Sequence, residues 1–378
     1  MAAKPRFDGE WVGFQDAFEE VSRGVRKIKQ KDYLASGFYP IVDQSQSAVA
    51  GYSNEQNGLY VDVPAIVFGD HTRCVKYVET PFFIGADGVK ILKPKLSDDV
   101  RYWWHALRAT PIENLGYSRH YKLLKEKLFR SFDLDMQVSI RRKLDRVLLE
   151  IDCAEQVLSK LDVLVKSRFV EMFGLINENP RRWETAALED VAPICYQPVP
   201  QNGMVWQLNL DAVEAESGTV VSKCQVDAGE LKGSIGGFAG SQVLYSKLRP
   251  YLNKVVLPDC PGVCTTELLP LTPDLDRIDR VYLASSLRSS EFVAFASSHS
   301  NGAKMPRVDM KAFKKFEIPV PPIERQQEFA SFVAEVDKSR FVVQRQIGKL
   351  RTLYDSRAQI VQQPIAQMLW TQRAVVQP

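Results

Sequence analysis

The sequence predicts an α+β chain: two globular domains separated by two long helices that pair as a coiled coil, arranged as an internal repeat. Three observations predict it. First, Ile140, Leu144, Val147, Ile151, Ala154, Leu158, Leu161 and Val165 recur with spacings alternating between four and three, the seam of a heptad helix. Second, Phe329, Val333, Val336, Arg340, Val343, Ile347, Leu350 and Tyr354 repeat that series 189 positions later (329 − 140). Gln137 and Gln326, Lys160-Leu161 and Lys349-Leu350, and Ser167-Arg168 and Ser356-Arg357 keep the same offset. Third, the segments before and between the helices are of similar size, mixed and strand-rich.

Taken in order, residues 1–136 form the first globular domain. Trp11 precedes a short apolar periodicity of Phe14, Phe18 and Val21, and Pro64-Ala-Ile-Val-Phe68 reads as a buried strand. Residues 137–173 form the first spacer helix, with no interior proline and good helix formers at its outward positions. Residues 174–322 form the second domain, where Trp183 leads Leu188 and Val191. There Val243-Leu-Tyr-Ser-Lys-Leu-Arg249 alternates, so Leu244, Ser246 and Leu248 are expected to face inward and Tyr245, Lys247 and Arg249 outward. Residues 323–363 form the second spacer helix and 364–378 a short tail. Arg340 alone breaks the apolar rule of the seam. Each apolar stripe needs a partner, and the most economical partner for each is the other.

The 378 residues are 45% hydrophobic and 25% charged, enough to bury substantial cores. No 18-residue apolar stretch occurs, and no apolar signal core follows the basic start, so a cytoplasmic protein without a membrane partner is expected. The six cysteines are scattered through a long chain, which favours reduced thiols. A net charge of +3 is only mildly basic. The local distribution says more: Arg119, His120, Lys122, Lys125, Lys127 and Arg130 crowd one stretch, and Lys247, Arg249 and Lys254 another. Such clusters are ordinarily solvated faces. Occurring in both repeats and mixed with hydrogen-bonding groups, they suit phosphate positioning combined with base-edge readout.

Chemistry-bearing motifs are scarce. There is no Asn-Pro-Pro-Tyr or Asp-Pro-Pro-Tyr of an adenine methyltransferase and no phosphate-binding Gly-x-x-x-x-Gly-Lys-Ser/Thr, and Gly236-Gly-Phe-Ala-Gly240 lacks dinucleotide-binding spacing. No cofactor is expected. Asp211 with Glu230-Leu-Lys232 is superficially similar to a metal-dependent nuclease triad, a pattern that short sequences produce by chance. Cys260-x-x-x-Cys264 lacks a second ligand pair, so no metal is expected. His71 and His299 have no Ser or Cys spaced to act as a nucleophile.

Asn301-Gly-Ala-Lys-Met-Pro-Arg-Val-Asp-Met310 followed by Phe316-Glu-Ile-Pro-Val-Pro-Pro-Ile-Glu-Arg-Gln326 resembles the specificity subunits of type I restriction-modification systems, at the passage from recognition domain into spacer helix. Leu244-Tyr-Ser-Lys-Leu-Arg-Pro-Tyr-Leu-Asn-Lys254 with Cys264-Thr-Thr-Glu267 is similar to the same family. So are Phe68-Gly-Asp-His71, Gly85-Ala-Asp-Gly88 and Arg119-His-Tyr-Lys122 in the first half. The resemblance spans nearly the whole chain. It departs at Leu128-Phe-Arg-Ser-Phe-Asp-Leu-Asp-Met-Gln137, which lacks the stiff Pro-x-Pro-Pro joint preceding Gln326.

The resemblance implies a pseudo-twofold molecule in which an antiparallel coiled coil holds apart two target-recognition domains, each reading one half of a bipartite site on double-stranded DNA. It also implies docking of adenine methyltransferase subunits and, through them, restriction/translocase subunits, with no catalysis by the chain alone. The expected DNA-binding residues are Arg119, His120 and Lys122 in the first domain and Lys247, Arg249, Lys304 and Arg307 in the second, with Ser241, Gln242 and Tyr245 weaker candidates. A self-contained metal-dependent nuclease and a coiled-coil DNA-binding regulator are the alternatives. A helix of about 36 residues is roughly 54 Å long at 1.5 Å per residue, longer than the roughly 34 Å of one DNA turn.

Overall fold

In a computed structural model, residues 9–85, 88–95, 99–116 and 118–361 are described. The tail 364–378 and the centre of the Gly85 to Gly88 motif lie outside them. The chain divides into two compact units, Met1–Ala154 with Gln346–Pro378 and Glu155–Arg345, so each unit takes part of each long helix.

In the first unit, strands Phe18–Glu20, Val89–Pro94, Ala65–Gly69 and Val75–Val78 form an antiparallel sheet in that order. A three-stranded sheet sets Tyr39–Val42 between Gly51–Ser53 and Phe83–Ile84. The side chain of Asp99 accepts the first free amides of helix Val100–Ala109, from Arg101 and Tyr102, and so starts it. That helix buries Tyr102, Trp103 and Leu107 against Phe14, Phe18, Phe68 and Phe129. The neck of the domain is a strand pair, Glu10–Gly13 with Leu128–Ser131, from which the chain enters the first long helix, Leu134–Phe173.

The second unit repeats the plan. Thr185–Ala187 and Glu317–Pro319 form its neck, and the second long helix, Ile323–Ala358, follows. Helix Arg280–Leu287 starts on Asp279, whose side chain accepts from Val281 and Tyr282. One sheet runs Cys224–Asp227, Met204–Leu208, Gly262–Thr265, Ile235–Phe238, and another Val255–Val256, Val243–Ser246, Leu268–Leu271. The parallel contact of Gln207 with Val263 has its counterpart in Ile41 with Phe83. Gly236, at the start of the glycine run, serves packing: a Cβ there would stand 2.1 Å from the Tyr196 ring.

The alternation expected along Val243–Arg249 is corrected by the sheet. Val243–Ser246 is its central strand and buried throughout. Leu244 packs with Trp206, Phe238 and Val256 on one face, while Tyr245 packs with Phe292 and Phe313 on the other. Both faces are covered, so alternation does not sort this strand into inside and outside.

The two long helices pack against each other. In the first unit Ile140, Leu144 and Val147 meet Tyr354, Ala358 and Val361 in one core, while in the second Phe169 and Phe173 meet Phe329. The beginning of each helix thus lies against the end of the other, the antiparallel arrangement. Fully burying a side chain of Leu or Phe size contributes about 1.5–3 kcal/mol. Leu158, Leu161, Val333 and Leu350 are half-buried in the same seam, and Val336 and Ile347 are buried. Arg340 keeps its seam position by ion-pairing with Asp162 and Asp337. The first helix lacks the proline joint but has a substitute, since the Asp133 carboxylate accepts the Met136 amide at 2.8 Å and caps the helix where Pro322 precedes the other.

Candidate nucleic-acid interface

In the first unit, the turn between strands Ala65–Gly69 and Val75–Val78 holds the segment that carries the expected cations. The Asp70 carbonyl accepts the His120 amide at 2.8 Å and the His120 Nδ1 at 2.9 Å. Its carboxylate accepts the Tyr121 amide at 2.7 Å. The Leu115 amide donates to His120 Nε2 at 3.1 Å, which fixes the Nδ1–H tautomer. His120 is fully buried, with both ring nitrogens engaged. Of the three residues expected here, Arg119 and Lys122 are exposed and His120 is turned inward as the anchor of their loop.

Other loops join the same turn. The Gln44 side chain accepts the His71 amide at 3.2 Å, the Gln44 carbonyl accepts the Thr72 hydroxyl at 2.5 Å, and Arg73 donates to the Ile112 carbonyl at 3.0 Å. Gly88, at φ +85°, must be glycine twice over: a Cβ would also lie 2.9 Å from Gln44 and His71 atoms. Behind this face Lys76 is largely buried beside Asp43, at 3.6 Å. Burial pushes the Lys76 ammonium below its ordinary pKa against the pull of Asp43. Burial would raise the Asp43 carboxyl, but hydrogen bonds from Ser45 and the Lys76 charge hold it below the usual carboxylate range. The loops of Gln44, His71 and Arg73, and of Gln46, whose Oε1 accepts from Cys74 Sγ at 3.0 Å, are therefore joined to the turn that anchors the Arg119 loop, and only the Phe68-Gly-Asp-His71 motif hinted at them.

In the second unit three segments are stitched together by main-chain bonds. The Lys247 amide donates to the Glu267 carbonyl at 3.0 Å, the Val308 amide to the Lys247 carbonyl at 3.0 Å, and the Arg249 amide to the Pro306 carbonyl at 2.7 Å. Arg249 adopts the left-handed region (φ 50°) and its side chain is exposed. Ser300–Asn301 and Arg307–Val308 form a hairpin that turns at Gly302 (φ 108°) and exposes Lys304 and Met305 at its tip. Lys247, Arg249 and Arg307 are thus brought together, with Lys304 on the same hairpin. Arg307 is engaged: its guanidinium meets the Glu267 carboxylate at 2.9 to 3.1 Å, and that hydrogen bond raises its pKa. Glu267 is the residue of this group that charge counting missed, although the Cys264-Thr-Thr-Glu267 motif contains it. Among the weaker candidates, Ser241 is exposed but Gln242 and Tyr245 are buried. Gln242 bonds Cys195 and Thr272, both at 2.7 Å, and is a packing residue.

A cleft of about 1080 Å³ in the second unit is lined by Asp162, Lys166, Trp206, Arg288, Asp337 and Arg340 among others, and by none of the seven expected DNA-binding residues. Asp211, Glu230 and Lys232 are exposed. Among the described residues, no three His, Cys, Asp or Glu side chains are grouped to hold a metal ion, and no helix is long and apolar enough to cross a membrane.

Residues 261–348 match the family model of the type I restriction modification DNA specificity domain. The chain is 26% identical over 111 residues to the specificity subunit of the type I restriction enzyme EcoDI of Escherichia coli, covering 29% of this chain and 24% of that one. It is 30% identical over 89 residues to the specificity subunit of MjaVIII of Methanocaldococcus jannaschii, covering 24% of this chain and 20% of that one. The matches thus span a quarter or less of these relatives' lengths. The fold extends much further. The crystal structure of a type I restriction-modification S subunit from M. genitalium superimposes with a TM-score of 0.53 at 11% identity, covering 96% of this chain and 99% of that one.

Proposed function

We propose that this chain, which carries the type I DNA specificity domain over residues 261–348, is the noncatalytic DNA-recognition subunit of a type I restriction-modification complex in the cytoplasm. It reads a bipartite target, one half with each domain, and docks methyltransferase subunits and through them restriction subunits. One observation carries the reading: the matched stretch contains the Lys304 and Arg307 hairpin and the start of the second long helix, and the first half of the chain builds the same neck and helix. Domain limits of 1–136 and 174–322, with spacer helices 137–173 and 323–363 and tail 364–378, go with this proposal. Arg119, Lys122, Lys247, Arg249, Lys304 and Arg307 contact the DNA, and His120 orients the first pair.

Docking of helical partner segments is supported by apolar side chains left exposed on the long helices. Val157, Val163, Leu164 and Val170 of the first are 43 to 59% exposed, and Phe341 and Val342 of the second 64% and 63%. Contiguous exposed apolar surface marks interaction sites.

Purified alone, the chain should neither methylate nor cut DNA; with its methyltransferase partner it should direct adenine methylation to one split sequence, read by methylome sequencing. Metal-dependent cleavage by the chain alone would favour the nuclease reading built on Asp211, Glu230 and Lys232. Specific DNA binding that is indifferent to methyltransferase subunits would favour a regulator.

A further inference from the structure

We propose that Gln137 and Gln326 are positioning residues: each is a lock at the base of a long helix that fixes the angle of its recognition domain and so the gap between the half-sites. The proposal rests on the bipartite reading above. The two glutamines are fully buried, each within the first turn or so of a long helix and close to the apolar seam. A buried primary amide is costly there unless both of its ends are satisfied, and in each case both are.

The Asp99 amide donates to Gln137 Oε1 at 3.1 Å, and Gln137 Nε2 donates to the Phe132 carbonyl at 2.8 Å. The Asp279 amide donates to Gln326 Oε1 at 2.8 Å, and Gln326 Nε2 donates to the Pro321 carbonyl at 2.7 Å and to the Arg277 carbonyl at 3.0 Å. Asp99 and Asp279 are the residues that start helices Val100–Ala109 and Arg280–Leu287. Each glutamine therefore ties together three parts of its unit: the long helix, the strand exit that feeds it, and the first turn of the domain's packed helix. Tyr102 and Tyr282 complete the joint, their hydroxyls donating to the Arg130 and Pro319 carbonyls in the neck strands.

The surroundings diverge while two of the bonds, to the aspartate amide and to the carbonyl five residues back, are the same. The first joint is approached through Phe132-Asp-Leu134 and the second through Pro321-Pro-Ile323, so a shared local sequence does not explain the shared geometry. Packing alone would be met by leucine or methionine. The amide adds direction, because donor and acceptor ends permit one orientation of the three parts. A small rotation at this joint displaces the reading loops at the far end of the domain, and one base pair along DNA is only about 3.4 Å.

The test uses the full chain assembled with its methyltransferase subunits and a DNA library with two fixed half-sites and randomised gap lengths. Wild type should select one gap length. Gln137→Met and Gln326→Met, which keep volume and remove both ends of the amide, should each broaden selection to neighbouring gap lengths while leaving the half-site sequences unchanged. Gln137→Leu and Gln326→Leu also remove both ends, with a different apolar shape, and should broaden selection in the same way; they serve if a Met variant fails to assemble. A single unchanged gap in assembled variants of either kind overturns the positioning proposal alone. A wild-type complex that selects no split site overturns the bipartite reading, and this proposal with it.

Discussion

The two units share a neck but not a seam. In the first, His105 of helix Val100–Ala109 is buried between the two long helices, with Nδ1 2.8 Å from the Tyr354 hydroxyl and Nε2 2.9 Å from the Asp145 carboxylate. Asp145 also takes Arg101 at 2.7 Å and Arg141 at 3.2 Å, and Arg141 reaches back to Asp99 at 2.7 Å. At the corresponding positions of the second unit, His105 becomes Ser285, Asp145 becomes Ala334 and Tyr354 becomes Val165. Ser285 merely donates to the Val281 carbonyl of its own helix at 2.8 Å. Ser285 and Val165 instead line the open cleft. Its wall includes Arg288, whose pKa burial lowers to about 10 in spite of Asp337 and Asp162. The difference teaches which contacts the repeat requires: the glutamine joint recurs in its bonds to the helix-starting aspartate and to the carbonyl five residues back, whereas the fastening of domain helix to seam by a buried His–Tyr–Asp set is built only in the first unit.

The contrast can be tested at several depths. The largest effect is expected in the seam, where Leu144 is 1% exposed in the first unit and Leu161 only half-buried in the second. Leu144→Asp buries an unpaired charge and should cost about 3–5 kcal/mol, whereas Leu161→Asp can turn its carboxylate to water and should cost much less. Urea unfolding of the two variants reads the asymmetry, and equal losses would remove it. The next effect concerns the polar fastening. His105→Leu leaves the Tyr354 hydroxyl without its partner and Asp145 with one fewer, a loss of about 1–3 kcal/mol, while Ser285→Ala should stay within about 0.5 kcal/mol.

A third, smaller effect is a pH dependence confined to the first unit. Burial lowers the His105 pKa below its ordinary 6.5, outweighing Asp145, with Arg101 and Arg108 acting in the same direction as burial. The unfolded chain then binds the proton more readily, so stability is full above 6.5 and falls as pH drops below it. Burial would raise the Asp145 carboxyl, but hydrogen bonds from His105 and Arg101 together hold it low, and its contribution is lost only under more acidic conditions, below 3.8. His105→Leu should flatten the unfolding midpoint between about pH 7 and 5, and a wild-type midpoint independent of pH in that window contradicts the assignment. At the exposed loops Arg119→Ala and Arg249→Ala should leave unfolding unchanged and weaken DNA binding. Each should cost about 1–3 kcal/mol and relax only the half-site its own domain reads. Relaxation of both half-sites by one substitution would break the one-domain, one-half-site correspondence.

Much of the architecture was legible because coiled-coil seams repeat in sequence as they do in space. The series from Ile140 and from Phe329 carry the same spacing, and their constant offset made pairing the economical solution. Arg340 looked like a defect because its reason, Asp162, sits on the other helix and outside the heptad series. The glutamines were visible as a coincidence of offset, but nothing local shows that a Gln at a helix start is buried with both ends bonded. The crowd of basic residues around His120 hid its burial, because composition does not reveal which member of a cluster turns inward to close a loop. Alternation along Val243–Arg249 failed for a related reason: a central strand covered on both faces obeys no inside-outside rule. The loops that carry Gln44, Gln46 and Arg73 gave least warning, since turns bring them together from distant parts of the chain and periodicity does not apply to turns.

The necks have a consequence of another kind. Each domain runs into its long helix from a strand paired antiparallel with one near the domain's own start, Leu128–Ser131 with Glu10–Gly13 and Glu317–Pro319 with Thr185–Ala187. Paired strands hold their chain ends about 5 Å apart whatever is folded between them. To the helices, the inserted polypeptide is then a cartridge: its contents can lengthen, shorten or be exchanged wholesale while the socket stays the same. The second domain already demonstrates the tolerance, since helix Ser290–Ser298 and the hairpin after it stand between Arg280–Leu287 and Met310–Lys314, whereas only residues 110–120 lie between Val100–Ala109 and Tyr121–Lys125 in the first. The paired neck strands alone set where the chain ends meet, so the polypeptide between them is free to vary without a compensating change in the helices.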